Sequence, residues 1–424
     1  MFNDRISHLN KKISKKSFSS ILITLLFIIQ FFGFLMLLIR KNDEITLTIL
    51  GLFVAFIIAS LISSIFLPRL MKISNILILI VNMIYTIGLL EILRIDIATG
   101  KNHIIWYSIG VLISFIVLFV LSKGIKLFKN RFYFYAIVTF LTFVVTLVLG
   151  ENVSGAKNWI KIADGITIQL SEFAKISYVF TVASFYGDYD NISKHKYGRF
   201  YLNIVTYIFI AMFFLQGELG TAMVFFGTFI LSMFVFEDNK LLLVANILLA
   251  ILGLFIAYKL FSHIRVRFEI WKDPWSDYHV KGYQIIQGLF AIASGGFFGS
   301  GLGLGSPGLV PVSTSDFILP VVIEELGIFM GISIVLLFVI LIYKGVKIAL
   351  VNRDDFYSSL AFAISIIFAS QTLVMFGGVL KLIPLTGITT PFMSYGGSSA
   401  ISSFILLAVL QYCSKEKKVQ DEEI

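Results

Sequence analysis

Residues 104–122 read IIWYSIGVLISFIVLFVLS, nineteen positions without a charged side chain. As a helix this run is about 28 Å long at 1.5 Å per residue, close to the roughly 30 Å of hydrocarbon in a bilayer. Lipid offers no partner for a backbone N–H or C=O, so the run must close its hydrogen bonds internally as a helix. Similar runs recur outward from it in both directions, at 17–39, 45–66, 74–93, 132–150, 172–187, 201–216, 218–236, 241–261, 318–343, 357–380 and 393–412. The pattern predicts an all-α polytopic membrane protein with about twelve transmembrane helices, of which those at 172–187 and 201–216 are short enough to be tilted or broken. Composition agrees: 58% of residues are apolar, 14% are charged and the mean hydropathy is +0.93. Such a chain has lipid, not water, as its main solvent. No stretch is long enough for a separate soluble domain. The expected organisation is a basic N-terminal tail at 1–16, a membrane domain at 17–412 and a C-terminal tail at 413–424. The first apolar run is too long for a signal-peptide core and lacks a small-residue cleavage site, so it is expected to remain as an anchor.

The net charge of +9 does not point to nucleic acid, because the basic residues sit in short clusters between apolar runs. Clusters at Lys11, Lys12, Lys15 and Lys16, at Lys123, Lys126, Lys129 and Arg131, and at Lys194, Lys196 and Arg199 all fall on one face if the loops alternate. That face collects 21 of the 34 Lys and Arg residues in its shorter loops. The positive-inside rule then puts both termini in the cytoplasm and the segments 151–171 and 262–317 outside. The single cysteine, Cys413, excludes an internal disulfide and a CxxC redox pair. His8, His103, His195, His263 and His279 lack HExxH spacing and divide between the two faces, which argues against zinc. No nucleophile elbow or Ser-Lys signature supports covalent acyl chemistry.

The loop 262–317 is too long for a connector, and its apolar content predicts short helical or re-entrant pieces. It contains DPWSD at 273–277. A carboxylate among apolar neighbours at a membrane surface is partly desolvated and suits general-base work, with Arg265, Arg267 and Lys272 near enough in sequence to keep it ionised. Trp271 and Trp275 fit an interfacial anchor. Further on, SGGFFGSGLGLGS at 294–306 offers either a nest of free amides for an anion or a bent segment packed on protein. It lacks both the GK[ST] ending of a phosphate loop and GxGxxG spacing. Within the spans ionisable residues are few: Glu172 and Lys175 three apart on one helix face, then Glu218, Asp316, Glu324 and Glu325. All lie toward the outer half, which points to an outward-facing polar cavity.

These residues fall into an ordered set of motifs from about 150 to 412: Gly155-Ala156-Lys157-Asn158-Trp159-Ile160, Ser171-Glu172-Phe173-Ala174-Lys175, Gln216 to Thr221, and Asp273 to Asp277 with Gly282-Tyr283-Gln284 following. Ser294-Gly295-Gly296, Gly301-Leu302-Gly303, Asp316-Phe317-Ile318, Glu324 to Gly327, Thr386-Gly387-Ile388 and Pro391 to Ser399 complete it. In this set the chain resembles the SEDS family of shape, elongation, division and sporulation proteins, the FtsW/RodA/SpoVE type. It departs from the family pattern at Leu170, Gly217-Glu218, Tyr278 and Thr314-Ser315, and carries two N-terminal spans beyond the usual ten.

The resemblance implies a peptidoglycan glycosyltransferase of the bacterial cytoplasmic membrane that polymerises lipid II, the undecaprenyl-pyrophosphate disaccharide-pentapeptide, with inversion on the outer face. It implies Asp277 as the general base, Asp273 as structural, and substrate binding by Lys157, Trp159, Glu172, Lys175, Glu218, Tyr283, Gln284, Asp316 and Glu325. Lys157, Lys175 and the glycine-rich amides are its candidates for the departing pyrophosphate, and Glu218 or Asp316 for a divalent cation, Mg or Mn, though no motif fixes a metal site. The implied partner is a class B penicillin-binding transpeptidase, alongside membrane lipids and without nucleic acid. A lipid II flippase and a non-catalytic scaffold of the division or elongation machinery are the alternatives. A flippase needs a polar path through the whole bilayer and often shows internal repeats, whereas the ionisable residues here concentrate on one side.

Overall fold

The computed structural model describes residues 2–39, 43–153, 156–163 and 166–422. The chain opens with α1 (Phe2–Ile39) and α2 (Asp43–Leu61), which passes through a π-helical turn at Ile62–Phe66 into α3 (Leu67–Met71). Helices α4 (Ile76–Ile95), α5 (Ile97–Gly124) and α6 (Phe132–Leu149) follow. A small sheet comes next, β1 (Glu151–Val153), β2 (Ala156–Ala163) and β3 (Ile166–Gln169), then α7 (Leu170–Gly187), the short α8 (Tyr189–Ile192), α9 (Tyr201–Gln216), α10 (Leu219–Phe236) and α11 (Lys240–Leu260). The long loop folds as α12 (Ser262–Lys272), a 3-10 turn at Pro274–Asp277, α13 (Tyr283–Gly295) and a 3-10 turn at Pro307–Leu309. The chain closes with α14 (Ile318–Val351), α15 (Asp355–Val379) and α16 (Gly397–Glu422).

Eleven helices among the described residues are long and apolar enough to cross a membrane. The expected twelfth, α7, is a full 18 residues long but less apolar, and it does not meet that standard. Its residues explain this: it packs between α6 and α15, and Glu172, Lys175, Ser177, Thr181 and Ser184 are all buried against other helices. Protein, not lipid, is its solvent, so its sequence need not be apolar.

The same logic sorts the remaining helices. α4 and α15 are buried over 89% of their spans, α11 over only 17%. α15 accordingly carries Ser359, Ser365, Ser370, Gln371 and Thr372 in buried positions, where small and polar residues allow close approach and interhelical hydrogen bonds. Leu241, Leu248 and Ile251 of α11 are 77%, 62% and 61% exposed, an apolar face suited to lipid.

The fold is helical as expected, with one small sheet added to it. The sheet of order β1-β2-β3 is antiparallel throughout, with Trp159 opposite Gln169 and Ile160 opposite Ile168. It lies beside α6 and α7 and delivers Gln169 to the start of α7. Gly155 of the Gly-Ala-Lys-Asn-Trp motif lies outside the described residues.

Candidate active site

Between this sheet, the ends of α7 and α10, the loop helices and the segment after α15 lies a polar cavity of ≈ 710 Å³. Five charged side chains line it: Glu172, Glu218, Arg267, Lys281 and Asp316. Asn158, Trp159, Gln169, Gln284, Tyr395, Ser398 and Ser399 supply uncharged polar groups and aromatic surface.

The carboxylates are held differently. Glu218 Oε1 accepts from Gln169 Nε2 at 2.7 Å, Ser171 Oγ at 2.9 Å and Thr221 Oγ1 at 2.7 Å, while Oε2 is buried without a hydrogen-bond partner. Glu172 Oε2 accepts from Lys175 Nζ at 2.6 Å and from Ser402 Oγ at 2.7 Å. Lys175 in turn donates to Gln371 Oε1 at 2.9 Å, so its charge is consumed within the helix bundle. Asp316 is neighboured by the Arg267 guanidinium, and both approach the bare Cα of Gly387: a Cβ there would stand 3.5 Å from Asp316 Oδ2 and 3.8 Å from Arg267 Nη2. Burial pushes the Asp316 carboxyl up to about 6, against the opposing pull of Ser315 and Arg267.

Asp277 does not line the cavity; it stands at the mouth. Its carboxylate lies 4.0 Å from Nζ of Lys281, which does line it, and the Asp277 side chain is 38% exposed. The turn that carries it is closed locally. Asp273 Oδ1 accepts from Trp275 N at 3.1 Å, capping the turn, and Gly282 N donates to the Asp277 carbonyl at 2.9 Å. A Cβ at Gly282 would fall 1.9 Å from the Pro274 carbonyl oxygen, which is the physical reason for glycine five residues after the aspartate.

Of the residues expected to bind substrate, Trp159, Glu172, Glu218, Gln284 and Asp316 meet at the cavity. Four do not line it. Lys157 Nζ donates to the Leu147 carbonyl at 2.6 Å, Lys175 is neutralised as described, and Tyr283 packs near the ring of Tyr278. Glu325 belongs to another cluster. Its oxygens accept from Gly303 N at 2.5 Å and Gly305 N at 3.1 Å and meet Arg94 Nε at 2.9 Å, while Glu324 Oε1 accepts from Ser306 N at 2.9 Å. The amide nest read as a phosphate cradle is therefore filled by the protein's own carboxylates.

Sequence reading missed Lys281, Gln169, Tyr395, Ser398 and Ser399, and placed Arg267 beside the wrong aspartate. Lys281, i+4 from Asp277, and Tyr395, Ser398 and Ser399, inside the Pro391 to Ser399 motif, carried a readable signal; Gln169 did not. Among the described residues no three His, Cys, Asp or Glu side chains gather as a metal would require, and Glu218 Oε1 and Asp316 already face donors. The site does not fit Mg or Mn through these residues.

The fold is that of a polytopic helical bundle enclosing a half-polar cavity, with a folded loop at its mouth. The chain belongs to the family of cell cycle proteins that includes FtsW, RodA and SpoVE, whose model matches residues 65–419. It is 36% identical to the peptidoglycan glycosyltransferase RodA of Mycobacterium leprae over 269 residues, 61% of this chain and 58% of that protein's length. It is 35% identical to the stage V sporulation protein E of Bacillus subtilis over 270 residues, 62% of this chain and 72% of the relative. In fold it is similar to the chain solved in a study of polymerization and crosslinking by a peptidoglycan synthase complex. The TM-score is 0.69 at 23% identity, with 81% of this chain and 98% of the other covered. The rod shape determining protein RodA of Thermus thermophilus aligns with a TM-score of 0.59 at 20% identity, over 81% and 97% of the two chains.

Proposed function

We propose that this protein is a peptidoglycan glycosyltransferase that polymerises lipid II on the outer face of the bacterial cytoplasmic membrane. The observation that carries the reading is the Asp277 carboxylate at the mouth of the polar cavity, partly in water and next to Lys281. The family and its relatives supply the substrate class. Asp277 accepts the proton of the acceptor sugar's 4-hydroxyl as that oxygen attacks the anomeric carbon of the donor. The bond from that carbon to undecaprenyl pyrophosphate breaks, the electron pair leaves with the pyrophosphate, and configuration inverts. A positioned base contributes roughly 10²- to 10⁴-fold. Glu172, Glu218, Asp316, Trp159 and Gln284 line the space for the sugar and pyrophosphate groups. The membrane domain spans 17–412 with cytoplasmic tails at 1–16 and 413–424, and the partner is a class B penicillin-binding transpeptidase that crosslinks the new glycan.

The test is polymerisation of purified lipid II by the detergent-solubilised protein with its cognate transpeptidase, comparing wild type, Asp277→Ala and Asp273→Ala. Long strands are expected from wild type, and Asp277→Ala should lose at least about a hundredfold in rate. Asp273→Ala, which removes a cap, should lower thermal stability more than turnover per folded molecule. A folded wild-type complex that makes no polymer would refute the reading.

A further inference from the structure

A departing pyrophosphate concentrates negative charge on one side of the reaction, and electrostatic stabilisation of such charge is usually the largest catalytic contribution. The groups that sequence offered for this are otherwise engaged: Lys157 with a backbone carbonyl, Lys175 with Glu172 and Gln371, and the amides of Gly303, Gly305 and Ser306 with Glu324 and Glu325. Two cations that line the cavity keep most of their donors for a ligand.

Arg267, on α12, spends one N–H of Nη1 on the Leu385 carbonyl at 2.7 Å, and a guanidinium has five donors in a planar fork. Lys281 Nζ stands 4.0 Å from Asp277, too far for a hydrogen bond, so its three donors remain available. Both come from the single loop 262–317 that also carries Asp277. We propose that Arg267 and Lys281 form the pyrophosphate-binding pair of the cavity, Arg267 half-buried in its wall and Lys281 at its mouth. Their shared loop then places leaving-group binding and the base on one folded unit.

Asp316 stands beside Arg267 and offsets part of its charge, but it does so weakly. Burial already brings this carboxyl to within about one pH unit of neutrality, and a second anion entering the wall would favour its protonation. Glu172 is balanced by Lys175 at 2.6 Å. Arginine matches phosphate oxygens bidentately and lysine acts as a point charge. The pairing therefore predicts that Arg267→Lys is a partial loss, not a silent change.

This inference rests on the glycosyltransferase reading for the identity of the leaving group, but the site can be tested alone. Inorganic pyrophosphate is titrated against the full-length detergent-solubilised protein, with binding read by thermal protection, for wild type, Arg267→Gln, Arg267→Lys and Lys281→Gln. Arg265→Gln serves as control: it lies on the same helix but is exposed and donates to the Lys259 carbonyl. Arg267→Gln and Lys281→Gln should each weaken binding roughly ten- to a hundredfold, the range for a charge-assisted contact. Arg267→Lys should fall between, and Arg265→Gln should match wild type.

Lys281 is exposed, so its variant reports even if Arg267→Gln folds poorly. Pyrophosphate binding unchanged in Lys281→Gln and Arg267→Lys would overturn the proposal, as would an equal loss in Arg265→Gln. If wild type polymerises lipid II while these variants bind pyrophosphate normally, only the pair is refuted. If wild type binds pyrophosphate through the pair but makes no polymer, only the glycosyltransferase reading is.

Discussion

At the scale of single residues, Asp316 is a loop carboxylate whose charge depends on the fold. Burial raises it from 3.8 to about 6, so between those values the folded protein binds more protons at this position than the unfolded chain does. Stability at this residue is therefore highest in acid and declines as the pH rises through that window. The loss is on the order of 2–3 kcal/mol, at about 1.4 kcal/mol for each pH unit separating the two values. Asp316→Asn, which keeps the shape without the charge, should match wild type near pH 4 and be more thermostable than wild type at pH 8. Melting curves from pH 4 to 8 check this, and a difference that stays constant across the series would mean that ionisation of Asp316 is not its source. The residue also marks a limit of sequence reading. Its motif put it at the start of a membrane helix, which is where it lies, in the cavity wall. Its partner was hidden: Arg267 is near Asp277 along the chain but near Asp316 in space, because α12 folds back onto the segment after α15, where Arg267 Nη1 reaches the Leu385 carbonyl.

At the scale of elements, the glycine-rich segment is the instructive case. Sequence left two readings open, an anion nest or a bent piece packed on protein, and the local pattern had no means to choose. The choice is made by α14, which breaks at Gly327 with φ of +82°. The freed amides of Ile328 and Phe329 donate to the carbonyls of Gly296 and Phe297, as a broken membrane helix requires. The two backbones interlock so closely that a Cβ at Gly327 would lie 2.3 Å from the Phe297 oxygen, and one at Gly299 2.2 Å from the Glu325 oxygen. Gly327→Ala thus combines a positive-φ, extended backbone open essentially only to glycine, costing about 1–3 kcal/mol, with a backbone clash that no side-chain motion relieves. It should lower stability by at least about 3 kcal/mol, whereas Gly253→Ala on α11, with nothing within 4 Å, should be neutral or slightly stabilising. Glu325→Gln should also cost about 3–5 kcal/mol, because it removes one charge of a buried pair with Arg94 and turns an acceptor into a donor facing amides. Thermal unfolding of the three variants ranks them, and a Gly327→Ala protein as stable as Gly253→Ala would contradict the interlock. The sheet at 151–169 escaped sequence reading for a different reason. Its outer strands are three and four residues long, too short for alternation to register, and its charged loop resembled any outward connector.

At the scale of the whole molecule, hydropathy located the membrane helices well because lipid imposes one rule on every exposed span, and its weakest run, at 172–187, is α7, which protein surrounds. α1 and α2 precede the family match at residue 65, yet they are joined to the bundle by a buried polar contact: Gln30 Nε2 donates to Ser60 Oγ and to Thr86 Oγ1, each at 3.1 Å. The cavity takes its lining from Trp106 onward, so these two helices bear on stability and placement, not on the site. Which face is outside is read from the distribution of charge. Lys123, Lys126, Lys129 and Arg131 crowd the end of the bundle where Lys129 pairs with Asp354, and they should lie in the cytoplasm. Cys413 is fully buried, which leaves the native protein without an accessible thiol and makes single-cysteine variants clean reporters. Trp275→Cys, at a position 54% exposed beside the cavity mouth, should react with a membrane-impermeant maleimide in intact cells. Lys126→Cys, on the opposite face and also exposed, should react only after the cells are opened. Labelling of Lys126→Cys from outside would invert the topology and place Asp277 and the cavity on the cytoplasmic side. Chain polymerisation on the outer surface would then be impossible, whatever the chemistry at the site.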